Sequence, residues 1–452
     1  MILSRNCADL THSFENTGEI KMEFVLEIND PVHGFIGLTE LETKIIDSEP
    51  YQRLRRIKQL SGAHYVYPTA EHTRFGHCIG AMYLAGLIGR RLLGQMGLGE
   101  TALQEVRLAG LLHDLGHGPF SHVFEESLIE SRKCNHEDVT EWLIKKSEVS
   151  DIIEDYGISS KRIASLVRGR RESKKDKVVS SIAAGQIDSD KLDYLIRDSF
   201  YCGVNYGLID IHRLINSMEI SEDYDIEIDL AARGALESFL VARYEMFLNV
   251  YYHKTVRSVE VMLIQLINAA DKALGFTAFS TPDEFLSLDD MSVVSRVRKI
   301  DPNLSSDAEE ASKLMKALDS RILYKSAFEK VLHTGDQFVS KVLTKKRVRE
   351  SIQDEIAALA GVPSDEVIVD VPTLPSVPYN PHQLDPMEIR IFETIEKERI
   401  PRRLSEFSNI AQMMKVYLDV IRVYTFDRHR FDVGRAAREV FQEVPDAALI
   451  HM

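Results

Sequence analysis

The chain has 452 residues, of which 44% are hydrophobic, enough to bury the core of a large folded protein. Its formal net charge of −15 argues against nucleic-acid binding by bulk attraction, so local positive charge must hold any anionic ligand. Four cysteines are too few for a disulfide scaffold at this length. Residues 1–22 lack an apolar run, and no stretch reaches the length of a membrane span. We therefore expect no signal or transit peptide, no membrane anchor and a cytoplasmic protein.

Short strands precede the helices in the predicted order of elements. Residues 24–28 and 35–38 flank a turn at 29–34, which predicts a β-hairpin. Thr39 with Glu42 forms a capping-box pattern, and Pro50 suits the first turn of the next helix. Apolar residues then recur at spacings of three and four, which predicts helices through 79–88, 106–115, 137–146, 190–198 and 234–274.

The composition changes late in the chain. Residues 367–369 predict a strand, and five prolines between 372 and 386 exclude a helix there. A helical pattern resumes at 401–423. We therefore expect three parts: an N-terminal extension at 1–22, a helical catalytic domain at 23–280 and a smaller mixed α/β region at 281–452.

Histidines are concentrated between positions 64 and 136. Seven of the fifteen histidines fall there: His64, His72, His77, His113, His117, His122 and His136. This concentration indicates a histidine-lined cleft.

A His-Asp dipeptide such as His113-Asp114, taken alone, is more often a surface pair than a metal site. Two imidazoles and two carboxylates together suit one divalent metal ion. Zinc, iron, manganese, nickel or cobalt fit such ligands better than calcium does, and magnesium is an option beside substrate phosphates. The predicted ligands are His77, His113, Asp114 and Asp190.

Three segments resemble the HD phosphohydrolase superfamily. They are AGLLHDLGHGPFSH at 109–122, TRFGH at 73–77 and IDSDKLDY at 187–194. Their flanking residues are similar to those of one branch, the deoxynucleoside triphosphate triphosphohydrolases, including the catalytic core of the vertebrate enzymes that add a sterile-alpha-motif domain. The resemblance covers residues 29–254 and implies a mainly α-helical HD-domain fold. We expect no sterile-alpha-motif domain, since only about 22 residues precede the hairpin.

The resemblance implies substrate contacts. Gln59 and Leu60 match the family positions that contact the sugar edge. The positions that bind phosphates are matched by Arg74, Lys191, Arg243 and Tyr251. Tyr194 and Asp198 match the positions that face the deoxyribose. Asp190, Tyr194 and Asp198 are spaced four and four, so one helical face can present all three. We interpret the neighbouring Asp193 and Arg197 as an ordinary i,i+4 ion pair.

The implied reaction is attack of water on the α-phosphorus, which releases a deoxynucleoside and intact triphosphate. The alkoxide leaving group needs a proton donor, and the family's catalytic histidines match His117, His122 and His136, which the sequence does not rank. His117 follows His113 by four residues and is expected on the same face. Glu137 follows His136 and is expected to orient that imidazole and raise its pKa.

Two positions depart from the vertebrate pattern. Glu125 replaces an aspartate, and its longer carboxylate still suits orienting a histidine. Phe247 replaces a histidine that faces the base or sugar, which leaves the preference for either open. The turn at 29–34, with Arg55, resembles a contact region for an effector nucleotide. We therefore expect a nucleotide effector and a homo-oligomer, either a dimer or a tetramer.

Two other functions fit the same residues. The metal set alone also suits an HD nucleotidase or phosphodiesterase acting on monophosphates or cyclic dinucleotides. A retained pocket without turnover would make the chain a nucleotide sensor or a nucleic-acid-binding protein. Local basic runs occur at 52–58, 168–177 and 345–349, and we interpret the last two as solvated faces. Nucleic acid is therefore not the expected partner.

Overall fold

The computed structural model describes residues 20–334, 343, 345–371, 389–413 and 417–442. Helices dominate this part of the chain, and the strands form an N-terminal hairpin and two small sheets. The predicted fold class, mainly α-helical with an N-terminal hairpin and a mixed α/β C-terminal region, is confirmed. Within the described ranges, no helix has both the length and the apolar character needed to cross a membrane.

The hairpin consists of β1 (Leu26–Asp30) and β2 (Gly34–Leu38), which pair antiparallel. Its turn is shorter than the predicted 29–34. Asp30 Oδ1 accepts the backbone N–H groups of Val32 and His33, each at 2.9 Å, and this closes the turn. The side chain of His33 extends from this turn to Asp193 in the helical region, where its Nε2 lies 2.6 Å from Oδ1.

Helices α3 and α4 are buried along most of their length at the centre of the helical region. The predicted capping box at Thr39 and the proline in the first turn of α2 are both present. The helices up to residue 216 are α1 (Glu40–Asp47), α2 (Glu49–Gln52), α3 (Arg74–Leu93), α4 (Glu100–Leu112), α5 (His122–Arg132), α6 (His136–Lys146), α7 (Glu148–Asp155), α8 (Ser160–Val167), α9 (Lys174–Ala183), α10 (Ser189–Cys202) and α11 (Ile211–Asn216).

The predicted helix at 234–274 is interrupted, so that prediction was wrong in its middle. Helix α12 (Arg233–Met246) passes into a π-helical turn at Phe247–Tyr251, and α13 (Lys254–Leu274) begins after it. Buried apolar residues continue through the turn, so the hydrophobic pattern gives no sign of the break. The π turn places the Tyr251 hydroxyl 2.8 Å from Asp198 Oδ2, to which it donates.

The remaining elements combine helices with short strands. They are β3 (Met218–Ile220), β4 (Ile226–Asp229), α14 (Pro282–Leu286), α15 (Asp290–Arg298), α16 (Ser306–Asp319), β5 (Lys325–Thr334), α17 (Lys346–Ala360), β6 (Ile368–Asp370), β7 (Arg390–Ile395), β8 (Glu398–Arg403), α18 (Asn409–Met413), β9 (Tyr417–Thr425) and α19 (Arg430–Gln442). One sheet has the order β3-β4-β7-β8, and the other has the order β5-β9-β6. The predicted strand at 367–369 is confirmed by β6, whereas the prolines between 372 and 386 lie outside the described residues.

The helix predicted at 401–423 is wrong. This stretch contains the end of β8, the short helix α18 and most of β9. Strand β9 is rich in β-branched and aromatic residues, which suit a strand better than a helix. Pro401 is tolerated because β8 is the edge strand of its sheet.

The described residues pack into two hydrophobic cores. The larger core extends from the hairpin through the helices and includes α14 to α16. The smaller core lies between β6, β9, α17 and α19. Arg257 of α13 joins the two, because its guanidinium binds the Asp370 carboxylate of β6 at 2.8 Å. The three-stranded sheet is thus attached directly to the helix that follows the π turn.

Candidate metal centre and active site

The four predicted metal ligands converge. His77 lies in the first turn of α3, His113 caps the C-terminus of α4 with Asp114 directly after it, and Asp190 lies in the first turn of α10. His77 Nε2 lies 3.2 Å from His113 Nε2 and 3.1 Å from Asp190 Oδ1. Asp114 Oδ2 lies 3.7 Å from His77 Nε2. Imidazole nitrogen and carboxylate oxygen in this arrangement can hold a divalent metal ion.

The far nitrogens of both imidazoles are held by acceptors. His77 Nδ1 lies 2.8 Å from Asp193 Oδ2, and His113 Nδ1 lies 2.9 Å from the Gly110 carbonyl oxygen. A proton donated from Nδ1 to these oxygens leaves each Nε2 lone pair directed at the shared ion position. This outer contact is what a ligating histidine requires.

Asp193 forms the predicted ion pair with Arg197, but its carboxylate also holds two histidines. Arg197 binds both carboxylate oxygens, at 2.8 and 2.9 Å, and His33 Nε2 lies 2.6 Å from Oδ1. A Cβ at Gly80 would lie 1.9 Å from this carboxylate, so only glycine allows α10 to approach α3 here. Asp193 is therefore part of the site, and its role goes beyond the predicted i,i+4 ion pair.

Charges within the cluster shift the pKa values of its members. Burial opposes the charged form of His77, but the Asp190 and Asp193 carboxylates outweigh burial and raise its pKa to about 10. Burial likewise opposes ionisation of Asp190, and the two imidazoles nevertheless hold its pKa below the usual range. A cation at the centre is thus strongly favoured, whether it is a proton or a metal ion that displaces it.

Asp114 connects the metal ligands to the other histidines. Its Oδ2 pairs with Arg74, and its Oδ1 lies 3.3 Å from His117 Nε2. Arg74 also donates to the hydroxyl of Ser121 at 2.7 Å. Burial opposes the charge of Asp114, but Arg74 and the neighbouring histidines hold its pKa well below the usual range. Asp114 therefore stays an anion between the two groups of histidines.

The predicted catalytic histidines form a second cluster beside the first. His117 and His136 are stacked with ring centroids 4.0 Å apart, and His122 meets His117 edge-on at 4.9 Å. Helix α4 ends before His113, so His117 reaches this place through a turn, and the predicted shared helical face was wrong. A nitrogen lone pair lies in its ring plane, so two stacked rings are poorly placed to direct lone pairs at one ion. The cluster therefore suits proton transfer better than a second metal.

Glu125, and not Glu137, orients these histidines. Its Oε2 lies 2.9 Å from His122 Nδ1, and its Oε1 lies 2.7 Å from His136 Nδ1. Glu137 instead accepts from Arg168 at 3.2 Å. Adjacent helical residues point about 100° apart, and the hydrogen-bond partner of His136 is Glu125 rather than Glu137. The expectation for Glu125 is confirmed by these contacts. For Glu137 the expected orienting contact was wrong, but its negative charge does help to raise the pKa of His136, to a smaller extent than Glu125 does.

The three histidines differ in protonation. Burial lowers the pKa values of His117 and His122, for His117 well below the usual range. Burial also opposes the charge of His136, but the Glu125 carboxylate outweighs it and raises the pKa of His136 to about 9. At neutral pH the cluster therefore holds a proton on His136 and free bases on the other two.

A cavity of about 290 Å³ joins the two clusters. Predicted site residues that line it are Gln59, Leu60, Arg74, His113, Asp114, His117, His122, His136, Glu137, Asp190, Lys191, Tyr194, Asp198 and Tyr251. His77 is fully buried behind the ligand position, and Arg243 does not line the cavity. The expected face of α10 is present, since Asp190, Tyr194 and Asp198 all line the same cavity.

Most polar groups of the predicted substrate contacts already have partners. Asp198 binds His72 Nε2 at 2.7 Å as well as Tyr251, and Lys191 pairs with Asp188. By contrast, the buried Gln59 Oε1 and Tyr194 hydroxyl oxygen have no hydrogen-bond partner among the residues that the structure describes. Buried polar atoms without partners are costly, so these two mark places for a polar ligand or water.

Several arginines of the first two basic runs have partners within the protein. Arg53 is fully buried and donates to the carbonyl oxygens of His117 and Leu288, at 2.9 and 2.7 Å. Arg168 and Arg170 pair with acids of α6. These contacts support the interpretation of the run at 168–177 as a solvated face rather than a nucleic-acid site.

Sequence reasoning gave no site role to several residues near the cavity. His72 and Asp193 contact other site residues, Asp198 and His77. Glu260, whose pKa burial raises to about 7, lines the cavity from α13. Ser61 and Ser121 connect loops next to the cavity. The histidine concentration pointed to His72, but nothing in the sequence distinguished Glu260 from an ordinary helix-surface acid.

Comparisons with known proteins agree with this geometry. The HD domain model matches residues 74–198, and the HD associated region model matches residues 209–448. A deoxynucleoside triphosphate triphosphohydrolase SAMHD1 homolog from Dictyostelium discoideum is 35% identical over 68% of this chain and 61% of its own length. The Homo sapiens protein named deoxynucleoside triphosphate triphosphohydrolase SAMHD1 is 28% identical over 88% of this chain and 71% of its own.

Two further relatives extend the match. An uncharacterized protein of Methanocaldococcus jannaschii is 34% identical over 86% of this chain and 76% of its own length. The crystal structure of a hypothetical protein from Aquifex aeolicus has a TM-score of 0.71 at 30% identity, covering 92% of this chain and 99% of that one. The chain therefore belongs to the HD-domain phosphohydrolase family, in its deoxynucleoside triphosphate triphosphohydrolase-like branch.

Proposed function

We propose that this protein hydrolyses deoxynucleoside triphosphates to a deoxynucleoside and triphosphate. The observation that carries the proposal is one cavity lined both by metal ligands and by the α10 face that continues from Asp190 to Tyr194 and Asp198. A phosphate and a sugar of one ligand can then contact a single helix. Relatives bearing the name of this activity support the choice of substrate.

The ligand set fits a divalent metal, because donor atoms of His77, His113 and Asp190 lie close enough to share one ion, and both imidazoles have acceptors behind them. Asp114 Oδ2 lies 3.7 Å from His77 Nε2, beside this group. Such an ion supplies Lewis-acid activation of water and of phosphate oxygens. We propose manganese, iron, nickel, cobalt or zinc at His77, His113, Asp114 and Asp190, with magnesium an option beside substrate phosphates.

Substrate contacts follow from the cavity wall. Tyr194 and Asp198 would face the deoxyribose, and Gln59 with Leu60 would close its edge. The unpaired Gln59 Oε1 and Tyr194 hydroxyl support this, because a sugar hydroxyl can hydrogen-bond to both kinds of group. The proposed phosphate contacts are Arg74, Lys191, Arg243 and Tyr251, of which all but Arg243 line the cavity.

The reaction requires a proton donor for the leaving group and a proton acceptor for the attacking water. Water attacks the α-phosphorus, the bond from phosphorus to the 5′ oxygen breaks, and the departing 5′ alkoxide takes a proton. We propose that the His122–His136 pair, held by Glu125, donates that proton, with the charge resting on His136 before reaction. The attacking water loses its proton to a neutral base of the same cluster, for which His117 is placed beside Asp114.

The decisive experiment is phosphorus NMR of a panel of all deoxy- and ribonucleoside triphosphates with the manganese-loaded protein. Tripolyphosphate as the product supports the proposal. Orthophosphate or pyrophosphate contradicts it and favours a nucleotidase, while hydrolysis of cyclic dinucleotides or monophosphates alone favours a phosphodiesterase or nucleotidase on other esters. Tight nucleotide binding without any turnover would make the chain a sensor.

We also propose a nucleotide effector and a homo-oligomer. The hairpin turn supports an effector because Asp30 binds Arg197 at 2.8 Å and His33 binds Asp193, the residue that orients His77. Pairs of nucleotides in the same panel test for activation of one by another. Light scattering with and without nucleotide tests for a dimer or tetramer, and a monomer under both conditions contradicts the proposal.

A further inference from the structure

Asp290 lies outside residues 74–198, the segment that matches the HD domain model, and its carboxylate holds two loops of the proposed active site together. Asp290 is the first residue of α15 and is buried. Its Oδ1 accepts the backbone N–H of Phe120 at 2.7 Å, and its Oδ2 accepts the backbone N–H of Lys58 at 3.0 Å. Phe120 precedes the catalytic histidine His122 by two residues, and Lys58 immediately precedes Gln59.

The two loops are joined by further hydrogen bonds at the same place. Ser61 donates to the Phe120 carbonyl oxygen at 2.5 Å, and Ser121 donates to the Lys58 carbonyl oxygen at 2.7 Å. Of these groups, Asp290 is the one that comes from the C-terminal region. Its contacts, together with the Arg56–Asp289 pair, hold the joined loops against the start of α15.

The loop that Asp290 holds has a strained backbone. Phe120 and Ser121 have φ values of 57° and 55°, in the region that residues with a Cβ avoid. Such conformations persist only where the surrounding structure fixes them, and they cluster at active sites. Ser121 is also the residue before α5, so a relaxed backbone here would shift the first residue of that helix, His122.

The chemistry of the contact requires a carboxylate. Two separate N–H donors approach the two oxygens of one side chain, so both oxygens must accept. An amide in the same place offers one oxygen and one NH2 group, and the NH2 group would face an N–H donor. Burial raises the pKa of Asp290 to about 6, against the two backbone donors, so the carboxylate is ionised at neutral pH.

We infer that Asp290 is a positioning residue for catalysis, which fixes the His122 loop against the Gln59 loop without touching the substrate. This inference rests on the proposed hydrolase function. It assigns part of the catalytic geometry to the C-terminal region, in which the sequence offered no motif. A displacement of about 1 Å in a catalytic group can cost about 10²-fold in rate.

The test compares Asp290→Asn with Val293→Ala, a truncation of a buried residue on the same helix that contacts neither loop through a hydrogen bond. We expect Asp290→Asn to lower kcat about 10- to 100-fold, with a smaller change in KM, while the bound metal stays near wild type. Val293→Ala should lower the melting temperature and leave kcat unchanged. An unchanged kcat in Asp290→Asn, or an equal loss of kcat in Val293→Ala, overturns the inference.

Two further measurements keep the outcome decisive. If Asp290→Asn does not fold, Ser61→Ala removes another bond between the same loops, and an unchanged kcat in that variant overturns the inference. Wild-type turnover is measured first. A wild type without turnover contradicts the proposed function itself, whereas an active wild type with a fully active Asp290→Asn contradicts only the role of Asp290.

Discussion

Two carboxylates in this protein each hold two histidines, and they prepare those histidines for different tasks. Asp193 binds His77 and His33, and Glu125 binds His122 and His136. The contacts are alike in length. What differs is the source of the positive charge that each carboxylate faces.

Beside Asp193 the charge comes from Arg197, which binds both carboxylate oxygens. His77 can therefore give up its Nε2 proton to a metal without leaving the buried carboxylate unpaired. Beside Glu125 the charge comes from the histidines themselves, and that holds a proton on His136. A fixed arginine thus suits a metal-ligand histidine, and the sharing of one proton suits a catalytic one.

The largest expected effect is on the metal side. Asp190→Ala removes a proposed metal ligand that lies within 4 Å of both imidazoles, so we expect loss of the bound metal and of turnover. Metal activation contributes several kcal/mol to such reactions, which corresponds to a loss of about 10³-fold or more. Metal analysis and kcat measure the two losses. Asp151→Ala, an exposed acid on α7, is the control, and undiminished activity of Asp190→Ala would break the metal assignment.

Glu125→Gln tests the other carboxylate. The amide keeps the shape of the side chain but cannot hold a proton on the His122–His136 pair, so we expect kcat to fall by about 10² to 10⁴. Bound metal should not change. The exposed Glu130→Gln on the same helix controls for charge. Loss of metal from Glu125→Gln would show that the two carboxylates do not have separate tasks.

Asp193→Asn tests whether Asp193 acts through metal binding, unlike Glu125. Loss of the charged acceptor behind a ligating histidine lowers metal affinity by about 10- to 100-fold. We expect activity to fall at limiting metal and to recover as metal is added, whereas Glu125→Gln should not recover. Titration of kcat against manganese distinguishes the two variants. If added manganese restored kcat equally in both variants, or in neither, the proposal that Asp193 supports metal binding and Glu125 supports proton transfer would be contradicted.

Local features of the fold and of the site could be read from the sequence. The capping box at Thr39 and the strand predicted at 367–369, observed as Ile368–Asp370, depend on residues close in the chain, and their predictions are confirmed. The helical spacing of Asp190, Tyr194 and Asp198 likewise needs only the period of one helix, and all three line one cavity. Where the chemistry lies on a single regular element, the sequence is sufficient.

Contacts between elements could not be read in this way. Glu137 is next to His136 in sequence, yet Glu125 is its partner, because the packing of α5 against the start of α6 decides which acid reaches the ring. The sequence likewise predicts the i,i+4 ion pair of Asp193 with Arg197, which is present, but not the contacts of Asp193 with His77 and His33 on other elements. The prediction of a helix where β9 lies is wrong because apolar residues of a buried strand can fit the 3.6-residue helical period as well as the 2-residue strand period over a short stretch.

The smallest expected effect concerns pH and stability. An imidazole in the unfolded chain has a pKa of about 6.5, and Glu125 raises that of His136 to about 9 in the folded protein. Between these values the folded state binds the extra proton, so the contribution of this pair to stability is complete below about pH 6.5 and is lost as the pH rises to 9. The loss is at most a few kcal/mol, at about 1.4 kcal/mol per pKa unit.

Denaturant unfolding at pH 6.5 and pH 9 measures this loss. Because the pKa of His77 is raised as well, the comparison must be made between wild type and His136→Gln. The variant should show the smaller fall in the free energy of unfolding, since it has no proton to lose at this position. Equal falls in the two proteins would mean that His136 carries no proton at neutral pH. The proton for the leaving group would then have to come from another residue of the cluster.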